Sequence, residues 1–427
     1  KDLSPQSSLT STELNGSMSA NAKLLCILAI LLVPRLAISQ TPEDTATEPA
    51  VEPIAAEKTF NIADGLQWKL LLSEPLITQP LMISFDAQGR LWLAEYRQYP
   101  NPEGLKVLSK DRHWRVVYDS VPKPPGAGGL VGRDRISVHE DRDKDGNYET
   151  HHVFVDGLNI ATSVLPVANG AWVLNPPYLL FYADQDQDLR ADGNPEVHLE
   201  GFGLEDTHSV VNNLTMGPDG WIYGAQGSTV SGALKAPGSA DKPIQSLGQA
   251  IWRYHPQTRK YEIFAEGGGN AFGVAFDDRG ELFSGHNGGD TRGFHYYQGG
   301  YYRKGFSKHG SLSNPHSYGY LEPMQHDPIP RFTHTMLLTE STALKSKTQP
   351  QADSKRMLGV DPLHGKLILT DLATVGSTYK TKDVSDTVTS SDKWYRPVAI
   401  CDGPDGAAYV CDWYDSVVAH LYAFEGR

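Results

Sequence analysis

Two acidic loops carry the clearest pattern of side chains that could bind a metal ion. The first places carboxylates at positions 1, 3, 5 and 9, with Gly146 at position 6 for a sharp turn. The second repeats the spacing, with Leu189 in place of the glycine. Hard cations prefer clustered oxygen ligands, and Ca²⁺ accepts about six to eight of them. The spacing predicts Ca²⁺ sites at Asp141, Asp143, Asp145 and Glu149, and at Asp184, Asp186, Asp188 and Asp192.

Neither loop is an EF-hand. His152 and Pro195 stand at position 12, where an EF-hand has glutamate, and the flanking sequence is rich in hairpin turns rather than helical. A solvated acidic turn is the alternative to a metal site. It weighs more for the second loop, because Leu189 does not relax the backbone as a glycine does.

One of the fifteen histidines, His208, stands just before a predicted hairpin, in a loop that would open onto the centre of the fold. A histidine so placed could act as a general base, and a structural histidine is the alternative. Asn270 occupies the equivalent position before another hairpin, and Arg396 precedes a third. A planar guanidinium suits carboxylate recognition. We predict that these three side chains meet around one pocket.

The elements that would position these residues are repeated hairpins. Asp-Gly-type turns between alternating apolar runs are a strong hairpin signal, and such a phrase recurs six times. Its turns lie at Asp86, Asn169, Asp219, Asp277, His364 and Asp405. The pattern predicts an all-β fold, a six-bladed β-propeller, with a pair of β-sandwiches as the alternative. Helices should be few, because no long stretch after residue 40 has a helical period.

Composition narrows the classes of function. The chain has 427 residues, 39% of them apolar, which is enough for a large core. Its net charge of −13 argues against a nucleic-acid partner, which would need a basic surface. Three cysteines exclude a disulfide scaffold and a multi-cysteine metal cluster. Cys401 and Cys411 flank one hairpin turn out of register, so we predict two separate thiols.

The first residues read as a targeting signal. Lys23, the apolar run Leu24–Val33 and the small residues before Gln40 fit a signal peptide, with an uncleaved membrane anchor as the alternative. We therefore expect upstream residues and a signal peptide over 1–39, a disordered tether over 40–58 and the propeller over 59–427. This arrangement predicts export to the periplasm or the cell exterior.

The sequence from about Leu66 to its end resembles a known family. The resemblance rests on the two acidic loops and on the stretches 208–224, 273–277 and 396–414. It is to the membrane-bound dehydrogenase propeller found at the N-terminus of PVC-type haem c-binding proteins. More distantly, the sequence is similar to soluble sugar dehydrogenases of the glucose and sorbosone type that depend on pyrroloquinoline quinone (PQQ).

The resemblance implies that His208 is the catalytic base and that Asn270 and Arg396 hold the quinone. It also implies PQQ and Ca²⁺ as cofactors, a sugar or alcohol as substrate, and a haem c domain or a cytochrome as electron acceptor. Two positions depart from the pattern: Gly269 stands where an arginine precedes the asparagine, and Asp371–Thr378 holds no counterpart of the quinone-binding lysine.

The family proteins continue beyond the propeller, so the resemblance implies a C-terminal truncation of this sequence. A non-catalytic propeller that binds a glycan or a protein is the alternative from another functional class. A hydrolytic propeller such as a lactonase would need a central metal held by Glu, Asn and Asp.

Overall fold

The computed structural model describes residues 49–416 apart from 100, 114, 130, 288–290, 304–318, 327–331 and 340–354. The predicted signal peptide lies outside the described residues. The described end of the predicted tether contains a helical turn, α1 (Pro53–Ala56), and a 3-10 turn (Glu57–Thr59). No helix among the described residues is long and apolar enough to cross a membrane.

The rest of the described chain is built almost entirely of strands. They are β1 (Phe60–Ile62), β2 (Pro80–Phe85), β3 (Leu91–Glu95), β4 (Val107–Lys110), β5 (Val116–Tyr118), β6 (Asp134–Glu140), β7 (Thr150–Leu158), β8 (Ser163–Val167), β9 (Gly170–Asn175), β10 (Tyr178–Ala183), β11 (Glu196–Phe202), β12 (Asn212–Met216), β13 (Ile222–Gln226), β14 (Ser231–Lys235), β15 (Ile244–Leu247), β16 (Ala250–His255), β17 (Lys260–Gly267), β18 (Ala275–Phe276), β19 (Leu282–Ser284), β20 (His286–Asn287), β21 (Phe294–Tyr296), β22 (Gly300–Tyr302), β23 (Phe332–Thr333), β24 (Met336–Thr339), β25 (Lys355–Asp361), β26 (Lys366–Val375), β27 (Thr378–Ser390), β28 (Pro397–Asp402) and β29 (Ala408–Asp412).

These strands form a succession of mainly antiparallel sheets in chain order. The sheets are β2-β3-β6-β7, then β8-β9-β10-β11 extended by β14 and β15, then β12-β13-β16-β17 with the parallel strand β22, then β18-β19-β21, then β24-β25-β26-β27 extended by β1, and last β28-β29. Two small ribbons, β4-β5 and β20-β23, stand beside them. We call β2, β8, β12, β18, β24 and β28 the inner strands.

Neighbouring inner strands are linked by side-chain hydrogen bonds. Ser84 Oγ donates to the Val164 carbonyl at 3.3 Å, and the Leu214 N–H donates to Ser163 Oγ at 2.8 Å. Thr215 Oγ1 donates to the carbonyl of Val274, next to β18, at 3.2 Å. These bonds join the first four sheets in chain order.

The last sheets complete the ring. Strand β18 contacts β24, and β24 contacts β28. Strand β28 in turn contacts β2, and the rings of Phe85 and Tyr409 meet edge to face at 4.8 Å across that boundary. Sheets that close on one another around their inner strands form a β-propeller, so the prediction of an all-β propeller is confirmed.

The six predicted turns each connect two strands of a different sheet. In every sheet but the fifth, the turn joins the inner strand to the next strand of the sheet. In the fifth sheet it joins β25 to β26, the second and third strands, because β24 is the inner strand there. Successive strands are antiparallel, so the His364 turn lies at the end of the propeller where the inner strands begin. We call this end the upper face. The other five turns lie at the opposite end, where the inner strands end, and we call it the lower face.

The core lies between adjacent sheets. Trp92, Phe154 and Tyr182 belong to one buried cluster that joins the first two sheets. Each sheet is hydrophobic on both faces because it is covered on both by its neighbours. Cys401 and Cys411, the cysteines among the described residues, are free, as predicted, since Cys401 lies opposite Tyr409 and not opposite Cys411.

Candidate functional site

His208 lies on the upper face, in the loop between β11 and β12. Its Nδ1 is 3.0 Å from Asp206 Oδ1, and Thr229 Oγ1 donates to Asp206 Oδ2 at 2.5 Å. Asp206 and Thr229 are both buried. A carboxylate beside Nδ1 keeps the proton on that nitrogen and leaves the lone pair on Nε2. The His208 imidazole is therefore oriented as a proton acceptor through Nε2.

Aromatic side chains cover this histidine. The Tyr99 ring stands edge to face against His208, with centroids 4.9 Å apart, and Trp413 stands 5.2 Å from Tyr99. The side chain of His208 is 13% exposed, and its Nε2 is buried. A substrate can therefore reach Nε2 only if the Tyr99 segment moves.

Asn270 is joined to the loop that carries His208. Its Oδ1 accepts hydrogen bonds from Ser209 Oγ at 2.8 Å and from the Ser228 N–H at 2.6 Å. Gly227 permits this approach, because a Cβ there would overlap Ser209 and Asn270. The structure thus brings Asn270 beside the predicted base, with its amide oxygen engaged in fixing the loop.

Arg396 lies on the same face, and its buried guanidinium is directed at the main chain. Nη1 donates to the Tyr395 carbonyl and Nη2 donates to the Ser416 carbonyl, each at 3.0 Å. The Arg396 carbonyl accepts the Trp413 N–H at 2.9 Å, which places Arg396 behind the aromatic cover of His208. These hydrogen bonds hold the guanidinium of Arg396 against the main chain on either side of the last sheet.

Gly269, which precedes Asn270, is packed directly against His286. A Cβ at Gly269 would overlap the His286 imidazole, which is buried. Burial lowers the pKa of His286 to about 4, so the ring is neutral at pH 7. The imidazole therefore fills the space that a longer side chain at position 269 would need. Sequence reasoning missed this contact, whose only signal was glycine beside asparagine.

The described residues do not fit PQQ as the resemblance implies. A tricarboxylated quinone needs cationic partners with donors aimed at it. The guanidinium of Arg396 donates to main-chain carbonyls, and position 269 has no room for a side chain. A further cation, Arg303, is paired with Glu322, with Nη2 and Oε1 3.2 Å apart. We therefore derive no step through a quinone.

The acidic loops lie on the lower face, because each joins the third and fourth strands of its sheet. One carboxylate oxygen from each of Asp141, Asp143 and Glu149 lies within 4.8 Å of the others, and Asp184, Asp186 and Asp192 form the same group. Asp145 instead bonds Asn147, and Asp188 accepts the Arg190 N–H. Three carboxylates of each loop converge as metal ligands would.

The two loops share one backbone design. In each loop the N–H at the fifth position (Asp145 or Asp188) donates to the aspartate at the first position at 3.1 Å. The carboxylate at the ninth position accepts the N–H at the second position, at 2.9 Å in the first loop and 2.8 Å in the second. Leu189 has φ +67°, the left-handed conformation that Gly146 has at +83°. The second loop therefore makes the same turn with a leucine where the first has a glycine. Leu189 is buried among the core residues, and that burial offsets the strain.

Comparisons with solved structures return propeller enzymes and a binding protein at low similarity. The PQQ-bound aldose sugar dehydrogenase of Streptomyces coelicolor is 14% identical over 73% of this chain and 92% of its own, with a TM-score of 0.39. The aldose sugar dehydrogenase of Escherichia coli, in its apo form, is 15% identical over 82% and 84%, with a TM-score of 0.33. An auxiliary nutrient binding protein of Bacteroides thetaiotaomicron is 11% identical over 80% and 68%, with a TM-score of 0.37.

At these values the likenesses carry no argument about function. No curated protein matches the sequence. A family profile described as a domain of unknown function (DUF7133) matches residues 52–424. That stretch includes all of the strands and both candidate sites, so the chain belongs to the DUF7133 family.

Proposed function

We propose that this chain is a dehydrogenase propeller that oxidises a sugar or an alcohol, with His208 as the base that accepts the hydroxyl proton. The observation that carries the proposal is the oriented pair of His208 and Asp206 on the upper face. The neighbours of His208 come from loops of three other sheets: Tyr99 lies between β3 and β6 of the first, Asn270 precedes the fourth, and Trp413 follows the last. Loops from different sheets of a propeller commonly build its site.

The proton transfer follows from the contacts of His208. Nε2 takes the proton of the bound hydroxyl, and the resulting imidazolium is stabilised by the Asp206 carboxylate at 3.0 Å. Thr229 holds the second oxygen of that carboxylate, so Asp206 cannot rotate away. The Tyr99 ring packs on His208 and the Trp413 ring packs on Tyr99, and the polar tips of both rings are buried.

The electron acceptor belongs to the same proposal. Oxidation of a hydroxyl to a carbonyl gives up two electrons and two protons, and His208 takes one of the protons. The electrons and the other proton pass to an acceptor, which the test below supplies as a dye with or without PQQ, and we propose a haem c domain or a cytochrome as the acceptor in the cell. We further propose, from the N-terminal signal, that the protein acts after export.

The test is oxidation of a sugar and alcohol panel by the purified chain with an artificial electron-accepting dye, with and without PQQ and Ca²⁺. His208→Asn should reduce the rate at least about a hundredfold, because a positioned base contributes that much. His255→Asn is the matched control, since His255 ends β16 on the lower face. The proposal is contradicted if the wild-type chain oxidises nothing in the panel.

A non-catalytic binding propeller is the second candidate. It is favoured by the engagement of Arg396 with two carbonyls and by the packing of His286 on Gly269, which remove two quinone contacts. A glycan array probed with the same protein would give specific binding that survives His208→Asn. Binding without turnover under every cofactor condition would establish this candidate over the first.

A further inference from the structure

Two histidines meet across the β6-β7 hairpin of the first sheet, away from His208. His139 and His151 are register partners, and their Nδ1 atoms lie 2.9 Å apart. His139 is buried, whereas His151 is exposed. The buried imidazole of His139 would be a metal ligand of fixed position, and the exposed imidazole of His151 beside it would be a ligand that can adjust its position.

The protonation of His139 is set by the residues behind it. Arg135 Nε donates to Glu95 Oε1 at 2.7 Å, so Glu95 is an ionised acceptor. Ser137 Oγ donates to the same oxygen at 2.8 Å and must therefore accept from His139 Nε2, 3.0 Å away. The proton of His139 thus sits on Nε2, and the Nδ1 lone pair faces His151.

This chain of contacts is the arrangement found behind metal-ligating histidines. Such a histidine donates its second N–H to a polar partner that fixes the ring and its tautomer. The proton on Nε2 and the lone pair on Nδ1 together define one neutral tautomer of His139. A neutral, oriented imidazole is a ready ligand.

The separation of the two nitrogens fits a metal ion. Two metal–nitrogen bonds of about 2.0–2.1 Å that meet at about 90° put their nitrogens about 2.9 Å apart. Adjacent ligands at that angle are typical of tetragonal Cu²⁺ and Ni²⁺ sites, and imidazole suits both metals. In the absence of metal, the same 2.9 Å accommodates a hydrogen bond from His151 to His139.

We infer that His139 and His151 form a binding site for a divalent transition metal such as Cu²⁺, separate in ligand chemistry from the neighbouring acidic loop. The exposed side of His151 leaves the remaining coordination positions to water. The loop 141–149 offers carboxylate oxygens, which select hard cations, whereas the histidine pair offers imidazole nitrogens.

The neighbouring residue supplies a matched control. His152 is adjacent in sequence but points to the other face of β7, where its Nε2 lies 3.1 Å from Glu140 Oε2. His151→Gln removes a proposed ligand, and His152→Gln removes a histidine from the same strand without touching the pair.

The experiment is a Cu²⁺ titration of the full chain in excess Ca²⁺, followed by calorimetry and electron paramagnetic resonance. We expect one Cu²⁺ per chain with a two-nitrogen signal, and an affinity at least about tenfold weaker in His151→Gln but unchanged in His152→Gln. Equal affinity in the wild type and His151→Gln overturns the inference, as does an equal loss in both variants. Circular dichroism confirms that each variant is folded.

Discussion

His208 and His286 are both histidines on the upper face, yet their surroundings give them opposite chemistry. His208 has a carboxylate on Nδ1, which supports a positive charge after proton transfer. His286 is buried, and burial lowers its pKa to about 4. Burial disfavours the charged imidazolium of His286, so this ring is a neutral packing group, whereas His208 is oriented by its contact with Asp206.

The pKa of His286 gives a pH-dependence with a definite sign. Its folded pKa of about 4 lies below the unfolded value of about 6.5, so the unfolded chain gains a proton first as the pH falls. His286 therefore stabilises the fold fully above pH 6.5 and loses that contribution between about pH 6.5 and pH 4. We expect the free energy of unfolding to fall about 2–3 kcal/mol less in His286→Gln than in the wild type between pH 7 and pH 4.5.

Urea unfolding at the two pH values measures this difference, and His255→Gln serves as the control for loss of a surface histidine. Other buried histidines titrate alike in all three proteins and cancel in the comparison. Parallel pH curves for the wild type and His286→Gln would show that His286 is not the titrating group.

At the scale of single elements, the two acidic loops act as equivalent hairpin ends. Both place three convergent carboxylates on the lower face with matching main-chain hydrogen bonds. The repulsion among these carboxylates would be relieved by a cation, which stabilises the fold by mass action. We expect added Ca²⁺ to raise the melting temperature, and Asp141→Asn and Asp184→Asn each to remove part of that rise.

Differential scanning calorimetry with and without Ca²⁺ measures the rise, and Asp241→Asn is the control, since Asp241 is an exposed aspartate outside both loops. A melting temperature that does not respond to Ca²⁺ in the wild type would reduce both loops to solvated turns.

Most hairpins could be predicted because their turns are local. Asp86 Oδ1 accepts the N–H groups of Gln88 and Arg90, each at 3.0 Å, so the residues that make the turn lie within five positions. The fifth sheet differs because residues 340–354 separate its inner strand, β24, from β25 in the sequence. The nearest glycine turn, at His364, therefore joins the next pair of strands, β25 and β26. A local pattern identifies a turn but not the rank of its strands in the sheet.

The site was predictable to the same extent. The position of His208 before an inner strand follows from the hairpin phrase, and Asp206 stands two residues away. The bond from Arg396 to the Ser416 carbonyl and the packing of His286 on Gly269 join residues about 20 and about 17 positions apart, which only the folded chain brings together. The position of His208 could therefore be predicted from the sequence, its role as a base stays a prediction, and the contacts of Arg396 and Gly269 could not be predicted.

At the scale of the whole propeller, the N-terminal end of the described chain connects the fifth sheet with the sixth. Strand β1 pairs with β27, with Phe60 opposite Ser390, and so adds an outer strand to the fifth sheet. Phe60 packs against Trp68 at 5.0 Å and Tyr395 at 4.8 Å between ring centroids. Ahead of β1, the Val51 N–H donates to Tyr414 Oη at 2.6 Å, beside the last sheet. Residues 51–62 therefore tie the fifth and sixth sheets together.

Two truncations test whether this tie stabilises the fold. Removal of residues 1–49 keeps Val51 and β1, so the urea midpoint should match that of the full chain. Removal of residues 1–63 deletes the outer strand and the partly buried Phe60 ring, and should lower the free energy of unfolding by at least about 2 kcal/mol, since burial of such a side chain contributes about 1.5–3 kcal/mol. Equal midpoints for the two truncations would mean that the six sheets hold together without the N-terminal strand.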